Sequence, residues 1–295
     1  MNLTCIVVTY RRNELLLRVL ESISNQTLSP SRILVVDNAN CSKTEEIVKG
    51  YNYEYIKGGK ELGGAGGYAL GMKIAFESGS DLVWLADDDG YPDSNCLKLL
   101  IDTYNKSSLE VLAPLCISQT DHSQTANPYP LRGKKVTEVS KMNKVQIHKN
   151  LLQLFNGVII SKVAFLSVGY PDSKLFIRGD ELDYYFRIKK KSLPIGIVTS
   201  ALYYHPQSDA DYPNSRNSIL GVVVPKDDLK RYYQFRNQGY LARKHQLIGK
   251  MFLDWTRYSI FFLLTSKFDL YGFNNWRKLW IQGFTLNLQP YKSEE

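Results

Sequence analysis

The sequence predicts an α/β protein with a mostly parallel central sheet, followed by a C-terminal, mainly helical extension. Three observations carry this. Over the first 115 residues short apolar runs alternate with amphipathic segments, the pattern of βα units. The runs "CIVVTY" and "RILVVDN" are continuously apolar and rich in β-branched residues, as strands covered on both faces are. From Lys226 onward the composition changes: 16 of the 36 aromatic residues and three of the four Trp lie there, and Lys and Arg outnumber Asp and Glu by twelve to six.

Between the first two strands, Leu15, Leu16, Val19, Leu20 and Ile23 share one helical face. After Asn38, "SKTEEIVKG" offers Ser42 and Glu45 as a capping box and Gly50 as a helix stop. "YEYIKG" reads as a third strand, the glycine-rich "GGAGGYALGMKIAFESG" turns into a helix, and "DLVWLA" is a buried strand that ends on three aspartates. Residues 118–147 are polar, contain Pro128 and Pro130, and read as a loop or an excursion over the site. "FNGVIISKVAFLSVG" reads as a strand and a short helix started by Ser161, "FIRGDELDYYFRIKKK" as a helix opened by acids, and "IGIVTSALYYHP" as a strand ending at His205. There is no internal repeat.

The formal charge of +8 points to an anionic partner, and +6 of it lies in residues 226–295. Cys5, Cys41, Cys96 and Cys116 form no CxxC pair or His/Cys grouping, so a reduced, cytoplasmic protein without a zinc site is expected. The sequence opens on a strand-like "LTCIVVTY" rather than a signal peptide. The most apolar stretch, residues 251–270, is broken by Asp254, Arg257 and Lys267 and falls short of a membrane span.

Ligands of open α/β sheets bind at the carboxyl ends of strands, which would bring Thr9, Asp37 and Asp87, Asp88 and Asp89 to one crevice. Two carboxylates separated by one residue can both turn to a divalent cation, with oxygen ligands suited to Mg2+ or Mn2+. The competing reading is a solvated acidic turn, because Asp, Gly and Pro all favour turns. "ELGGAGGY" has neither the GxGxxG spacing of a dinucleotide site nor the GK[ST] of a P-loop. Its glycines, Gly63 and Gly64 among them, either present amide groups to a ligand near a helix start or form a flexible loop. Asp180, Glu181 and Asp183 offer a general base, or simply complement the helix dipole. His205 is either structural or completes a metal or phosphate site.

In this order the pieces resemble bacterial glycosyltransferase family 2, particularly its galactofuranosyltransferase and rhamnosyltransferase-like members. The resemblance rests on "VVTYRR" at 7–12, "VVDN" at 35–38, "LGGAGGY" at 62–68, "WLADDDG" at 84–90, "NGVIISK" at 156–162, "FIRGDELDYYFR" at 176–187, "YYHP" at 203–206 and "YYQFRNQGYLARK" at 232–244. It implies a GT-A fold, with a catalytic domain over residues 1–225 (a nucleotide-sugar half to about 115, an acceptor half beyond) and an extension over 226–295. It implies inverting, metal-dependent transfer from a nucleotide sugar to a glycan. Thr9, Arg11 and Asp37 would bind the nucleoside, with Gly63, Gly64, Asp87 and Asp88 completing the donor site. Asp87, Asp89 and His205 would hold Mn2+ or Mg2+, and Glu181, or failing that Asp180, would be the base. The donor stays open between UDP-galactofuranose, favoured, and dTDP-rhamnose.

Amphipathic segments carrying Lys, Arg, Trp and Phe bind lipid interfaces. The extension is therefore expected to rest on an anionic membrane surface at the inner face of the plasma membrane, with a lipid-linked acceptor and no nucleic acid partner. A nucleotidyltransferase would carry glycines in the first βα turn, which "TYRRNELLLR" lacks. A non-catalytic nucleotide- or membrane-binding protein would leave Asp87, Asp88, Asp89 and Glu181 unexplained.

Overall fold

A computed structural model describes the chain except for Glu61, Arg132 and residues 208–215, 218–219 and 293–295. The chain folds into two compact units, Met1–Ser173 with Tyr184–Ser208, and Lys174–Asp183 with Asp209–Glu295.

In the first unit the apolar runs form the expected strands, connected by helices: β1 (Leu3–Thr9), α1 (Asn13–Ser24), β2 (Arg32–Asp37), α2 (Ser42–Gly50), β3 (Glu54–Lys57), α3 (Gly63–Glu77) and β4 (Leu82–Asp87). The strands lie in the order β3-β2-β1-β4, all parallel. Alternation along β1 divides the core in two. Ile6 and Val8 pack with Met72 and Phe76 of α3, whereas Cys5 and Val7 pack with Leu16 and Leu20 of α1. Gly67 and Gly71 allow α3 to lie close on the sheet: a Cβ would meet Val8 Cγ1 at 2.6 Å at the first and Ile6 Cγ2 at 2.4 Å at the second.

Next come β5 (Tyr91–Pro92), α4 (Cys96–Lys106), β6 (Val111–Ser118), β7 (Gln124–Leu131), β8 (Lys134–Glu138), α5 (Val139–Met142), β9 (Ile147–Lys149), β10 (Val158–Ser161), α6 (Lys162–Val168), α7 (Asp180–Lys190) and β11 (Ile195–His205). The sheet continues through β10, antiparallel to both β4 and β6, then β6, β11 and β5. Residues 118–147 are not a bare loop but hold the β7–β8 hairpin, α5 and the start of β9. Pro128 and Pro130 are tolerated because they lie beyond Thr125, where β7 leaves β6 and pairs only with β8. Ser161 caps α6 as expected, accepting from the Ala164 amide at 3.0 Å. Ser42 and Glu45 form no capping box. Cys41 holds the N-cap position of α2 without a side-chain bond, and Glu45 pairs instead with Lys49 one turn on.

In the second unit α8 (Asp228–Lys244), α9 (Ile248–Ile260), a π-helical turn (Phe261–Thr265) and α10 (Leu270–Phe284) form the expected helical extension. Asp227 and Asp269 cap α8 and α10. Phe235, Tyr258, Trp276 and Trp280 form its core. The helices α8 and α10 cross backbone to backbone: a Cβ on Gly239 would fall 1.9 Å from the Trp280 carbonyl oxygen, so only glycine fits. Among the described residues no helix is long and apolar enough to cross a membrane.

Candidate functional site

Strand register assembles the carboxyl-end cluster. Thr9 lies opposite Asp37 between β1 and β2, and Val8 opposite Asp87 between β1 and β4, so the residues just past β4 fold over the end of β1. Tyr204 pairs with Tyr91, which brings His205 to the same end. Gly90 makes this closure possible, because a Cβ there would meet Tyr203 Cε1 at 2.4 Å and the Tyr204 carbonyl oxygen at 3.0 Å.

The three aspartates have separate surroundings. Asp87 accepts from Tyr68 Oη at 2.9 Å. Burial, then the charges of Asp89 and Asp88, push its pKa well above the usual carboxylate range. Asp88, almost fully buried, accepts from Thr9 Oγ1 at 2.8 Å, from the Tyr10 amide at 3.3 Å and from Arg12 Nη1 at 3.0 Å. Burial still outweighs these partners and raises its pKa. At Asp89 burial acts the same way, but His205 and Arg12 overcome it and hold the carboxyl below its ordinary value. Arg12 Nη1 bonds Asp89 Oδ2 at 3.0 Å, and His205 Nε2 lies 3.2 Å from Oδ1. That last approach is an ion-pair distance without hydrogen-bond alignment, so Oδ1 is a buried acceptor with no hydrogen-bond partner. His205 Nδ1 faces the Pro206 carbonyl oxygen at 2.8 Å. Burial disfavours the imidazolium, yet Asp89 more than compensates and its pKa is pushed up to about 9.

This donor set suits a divalent cation in part. Asp89 Oδ1 lacks a hydrogen, His205 Nε2 is beside it, and the mutual repulsion of three carboxyls is the kind a cation relieves. Among the described residues no group of three His, Cys, Asp or Glu side chains is arranged to hold a metal ion. Asp87, also expected to be a ligand, accepts from Tyr68 through Oδ1. Asp89 and His205 are the residues that would hold such a cation, which would neutralise negative charge there.

The remaining expected residues fall as follows. Thr9 is spent on Asp88. Arg11 is exposed, in the left-handed region (φ 56°), with its guanidinium 5.5 Å from the Tyr10 ring centroid. Asp37 is fully buried and accepts from the Ala39 and Cys41 amides and from Tyr55 Oη, at 2.7 to 2.9 Å, so it fixes the turn that follows β2. Gly63 and Gly64 open α3, and a Cβ on Gly64 would meet nothing within 4 Å. Arg12, Tyr68 and Gln119, which donates to the Asp89 carbonyl oxygen at 2.8 Å, are site residues that sequence reasoning missed. The doublet "RR" was the one available signal, and it does not say which arginine turns inward.

In the second unit, Asp180 and Glu181 start α7. Asp180 is buried, and although the amides of residues 180 and 181 bond it, burial lifts its pKa to about 6. Glu181 is exposed. Asp183, fully buried, faces Lys244 Nζ at 2.9 Å and His245 Nε2 at 2.8 Å.

A family model described as Glycosyl transferase family 2 matches residues 4–157. Galactofuranosyltransferase GlfT1 of Mycolicibacterium smegmatis is 34% identical over 285 residues, 93% of this chain and 93% of that protein. Galactofuranosyltransferase GlfT1 of Mycobacterium tuberculosis is 34% identical over 284 residues, 93% and 92% of the two chains. Among solved structures, S. aureus TarS 1–349 in complex with UDP-GlcNAc has a TM-score of 0.59 at 14% identity, over 98% of this chain and 83% of that one. GalNAc-T7 with UDP, GalNAc and Mn2+ has a TM-score of 0.54 at 14% identity, over 92% of this chain and 58% of that one.

Proposed function

The chain belongs to glycosyl transferase family 2, and on that premise we propose that it moves galactofuranose from UDP-galactofuranose to a hydroxyl of a lipid-linked glycan, with inversion. It is a glycosyltransferase with a GT-A fold. The observation that carries the choice of sugar is its near end-to-end likeness to galactofuranosyltransferases. The acidic cluster closing β4 beside Arg12 and His205 supports a site for a diphosphate and its counter-ion.

Mn2+ or Mg2+, held by Asp89 and His205, would neutralise charge on the departing nucleoside diphosphate. The chain's residues do the rest. Thr9 and Arg12 fix Asp88, while Arg12 holds Asp89 Oδ2 so that Oδ1 stays turned towards His205. Glu181 takes the proton of the acceptor hydroxyl. The acceptor oxygen bonds the anomeric carbon from the face opposite the leaving group, and the bond to the diphosphate oxygen breaks with its electron pair leaving on UDP. One displacement inverts the configuration and needs no covalent sugar intermediate. Exposure favours Glu181 over Asp180, whose carboxyl is buried against its own helix start. Exposed Ile248, Phe252 and Leu264, with the excess of Lys and Arg over residues 226–295, support the reading that this segment rests on the cytoplasmic leaflet, where a lipid-linked acceptor would lie.

The test is nucleoside diphosphate release from UDP-galactofuranose, UDP-galactopyranose, UDP-glucose and dTDP-rhamnose, with Mn2+, Mg2+ or EDTA and a mixed glycan acceptor. Turnover of UDP-galactofuranose alone, lost in EDTA, is expected. Turnover of dTDP-rhamnose instead would replace the sugar, and metal-independent turnover would remove the cation.

A further inference from the structure

The segment that leads into α7 is held in a costly backbone conformation. Phe176 (φ 64°), Arg178 (φ 66°) and Gly179 (φ 91°) all lie in the left-handed region, which the two side-chain-bearing residues adopt only when their surroundings impose it. What imposes it is α8. Asn237, 1% exposed, donates through Nδ2 to the carbonyl oxygens of Leu175 (2.9 Å), Ile177 (3.0 Å) and Arg178 (2.6 Å). Two amide hydrogens serve three acceptors, so one of them is shared. Arg236, also 1% exposed, sets the orientation of that amide by donating from Nε to Asn237 Oδ1 at 2.9 Å, and its Nη2 reaches the Lys174 carbonyl oxygen at 2.5 Å. The ring of Phe176 stacks on Tyr233 at 4.7 Å, while a Cβ on Gly179 would lie 3.1 Å from Leu241 Cδ1. One turn further on, Lys244 and His245 hold Asp183.

Residues 233, 236, 237, 241 and 244 recur at helical spacing, so one face of α8 grips the approach to α7 and its first turn. Hydrogen bonds to four successive or near-successive carbonyls, three from the Asn237 amide and one charge-assisted from the Arg236 guanidinium, exceed what packing a helix requires. They determine the path of residues 174–179, and with it where the first turn of α7 begins.

We infer that Asn237, oriented by Arg236, is a positioning residue for catalysis: it clamps the left-handed segment 174–179 and so sets the placement of the carboxylates at 180 and 181. Neither residue touches substrate. The inference rests on the reading that one of those carboxylates is the base.

The experiment compares Asn237→Ala, Arg236→Lys, Glu181→Gln and Asp180→Asn in the full chain, measuring kcat with UDP-galactofuranose and a glycan acceptor, the Kd for UDP, and melting temperature. The expected result is a fall in kcat of about a hundredfold in Asn237→Ala and tenfold in Arg236→Lys, with the Kd for UDP within twofold of the parent. A Kd that weakens in step with kcat, or native kcat in a folded variant, overturns the clamp. Arg236→Lys decides the matter if the alanine variant does not fold. Full turnover in both Glu181→Gln and Asp180→Asn overturns the base reading and the clamp together. Native kcat in both clamp variants beside an inactive Glu181→Gln overturns the clamp alone.

Discussion

His205 Nε2 lies 3.2 Å from Asp89 Oδ1, and it joins the last residue of β11 to the turn after β4. A proton and a metal ion would compete for this one nitrogen. The imidazole must be neutral to ligate, and the neighbouring carboxylate raises its pKa from 6.5 to about 9. Apparent Mn2+ affinity is therefore expected to rise about tenfold per pH unit between pH 7 and 9, and His205→Ala should abolish that slope. Titration of Mn2+ by its paramagnetic resonance signal reads this directly. A flat profile would remove His205 from the ligand set.

Without metal, the same pair makes the opposite prediction for stability. The folded pKa is raised above the unfolded one, so the contribution is complete below pH 6.5 and disappears as pH climbs through 9. The attraction is counted once for both partners and amounts to no more than about 3 kcal/mol. Chemical denaturation in EDTA should show the parent losing more stability over that window than His205→Ala does.

The two carboxylates at the head of α7 are expected to separate cleanly. Glu181→Gln should lower kcat by about 10²–10⁴-fold, as loss of a general base does. Asp180→Asn should instead act on stability. With a folded pKa of about 6 against an ordinary 3.8, Asp180 contributes fully below pH 3.8 and loses that contribution as pH rises through 6. At pH 8 its buried charge costs about 3 kcal/mol, which the amide variant avoids. Melting temperatures at pH 5 and pH 8 decide it: the variant's advantage over the parent should be clearly larger at the higher pH.

Two glycines of one helix should respond in opposite ways. Gly67→Ala drives a methyl into Val8 Cγ1 at 2.6 Å and Asn38 Nδ2 at 3.1 Å, and overpacking of this kind costs about 1–3 kcal/mol. Gly64→Ala meets nothing within 4 Å and should stabilise α3 by about 0.5 kcal/mol through propensity. If Gly64 lies against the donor, the variant will be more stable yet bind UDP more weakly. Unchanged affinity would withdraw it from the donor site.

How much of this was legible in the sequence follows from where the determinants lie. The strands β1, β2 and β4 were readable because burial on both faces leaves an unbroken apolar run. The β7–β8 hairpin was not, because a hairpin at the margin of the sheet keeps polar residues and prolines that also mark loops. Asp89 and His205 were recognisable by residue type, while the choice of Arg12 over Arg11 depends on a positive φ at Arg11. Asp37 was legible as an acid at the end of β2, but its bonds to two amides of the following turn and to Tyr55 depend on the fold. Asn237 gave no local signal, since its partners lie about sixty residues earlier.

The C-terminal helices carry the last prediction. Along α9 and the π-helical turn, Ile248 (64% exposed), Phe252 (65%) and Leu264 (72%) remain in water although the same unit buries Tyr258, Trp276 and Trp280. Residues 248 and 252 are one turn apart and share a face. Lys267, Arg277 and Lys278 are exposed in the same unit. Exposed large apolar side chains and cations in one helical unit are the composition of a segment that lies in a lipid interface. The chain should therefore sediment with vesicles rich in anionic phospholipid, and Phe252→Ser with Leu264→Ser should weaken that by tenfold or more, since each buried side chain is worth about 1.5–3 kcal/mol. Raising salt to 1 M, where the Debye length is about 3 Å, should weaken the parent as well, because the attraction of Lys and Arg to the surface is screened. Binding that ignores both changes would mean that neither this face nor its charge meets the membrane, and the lipid-linked acceptor would lose its support.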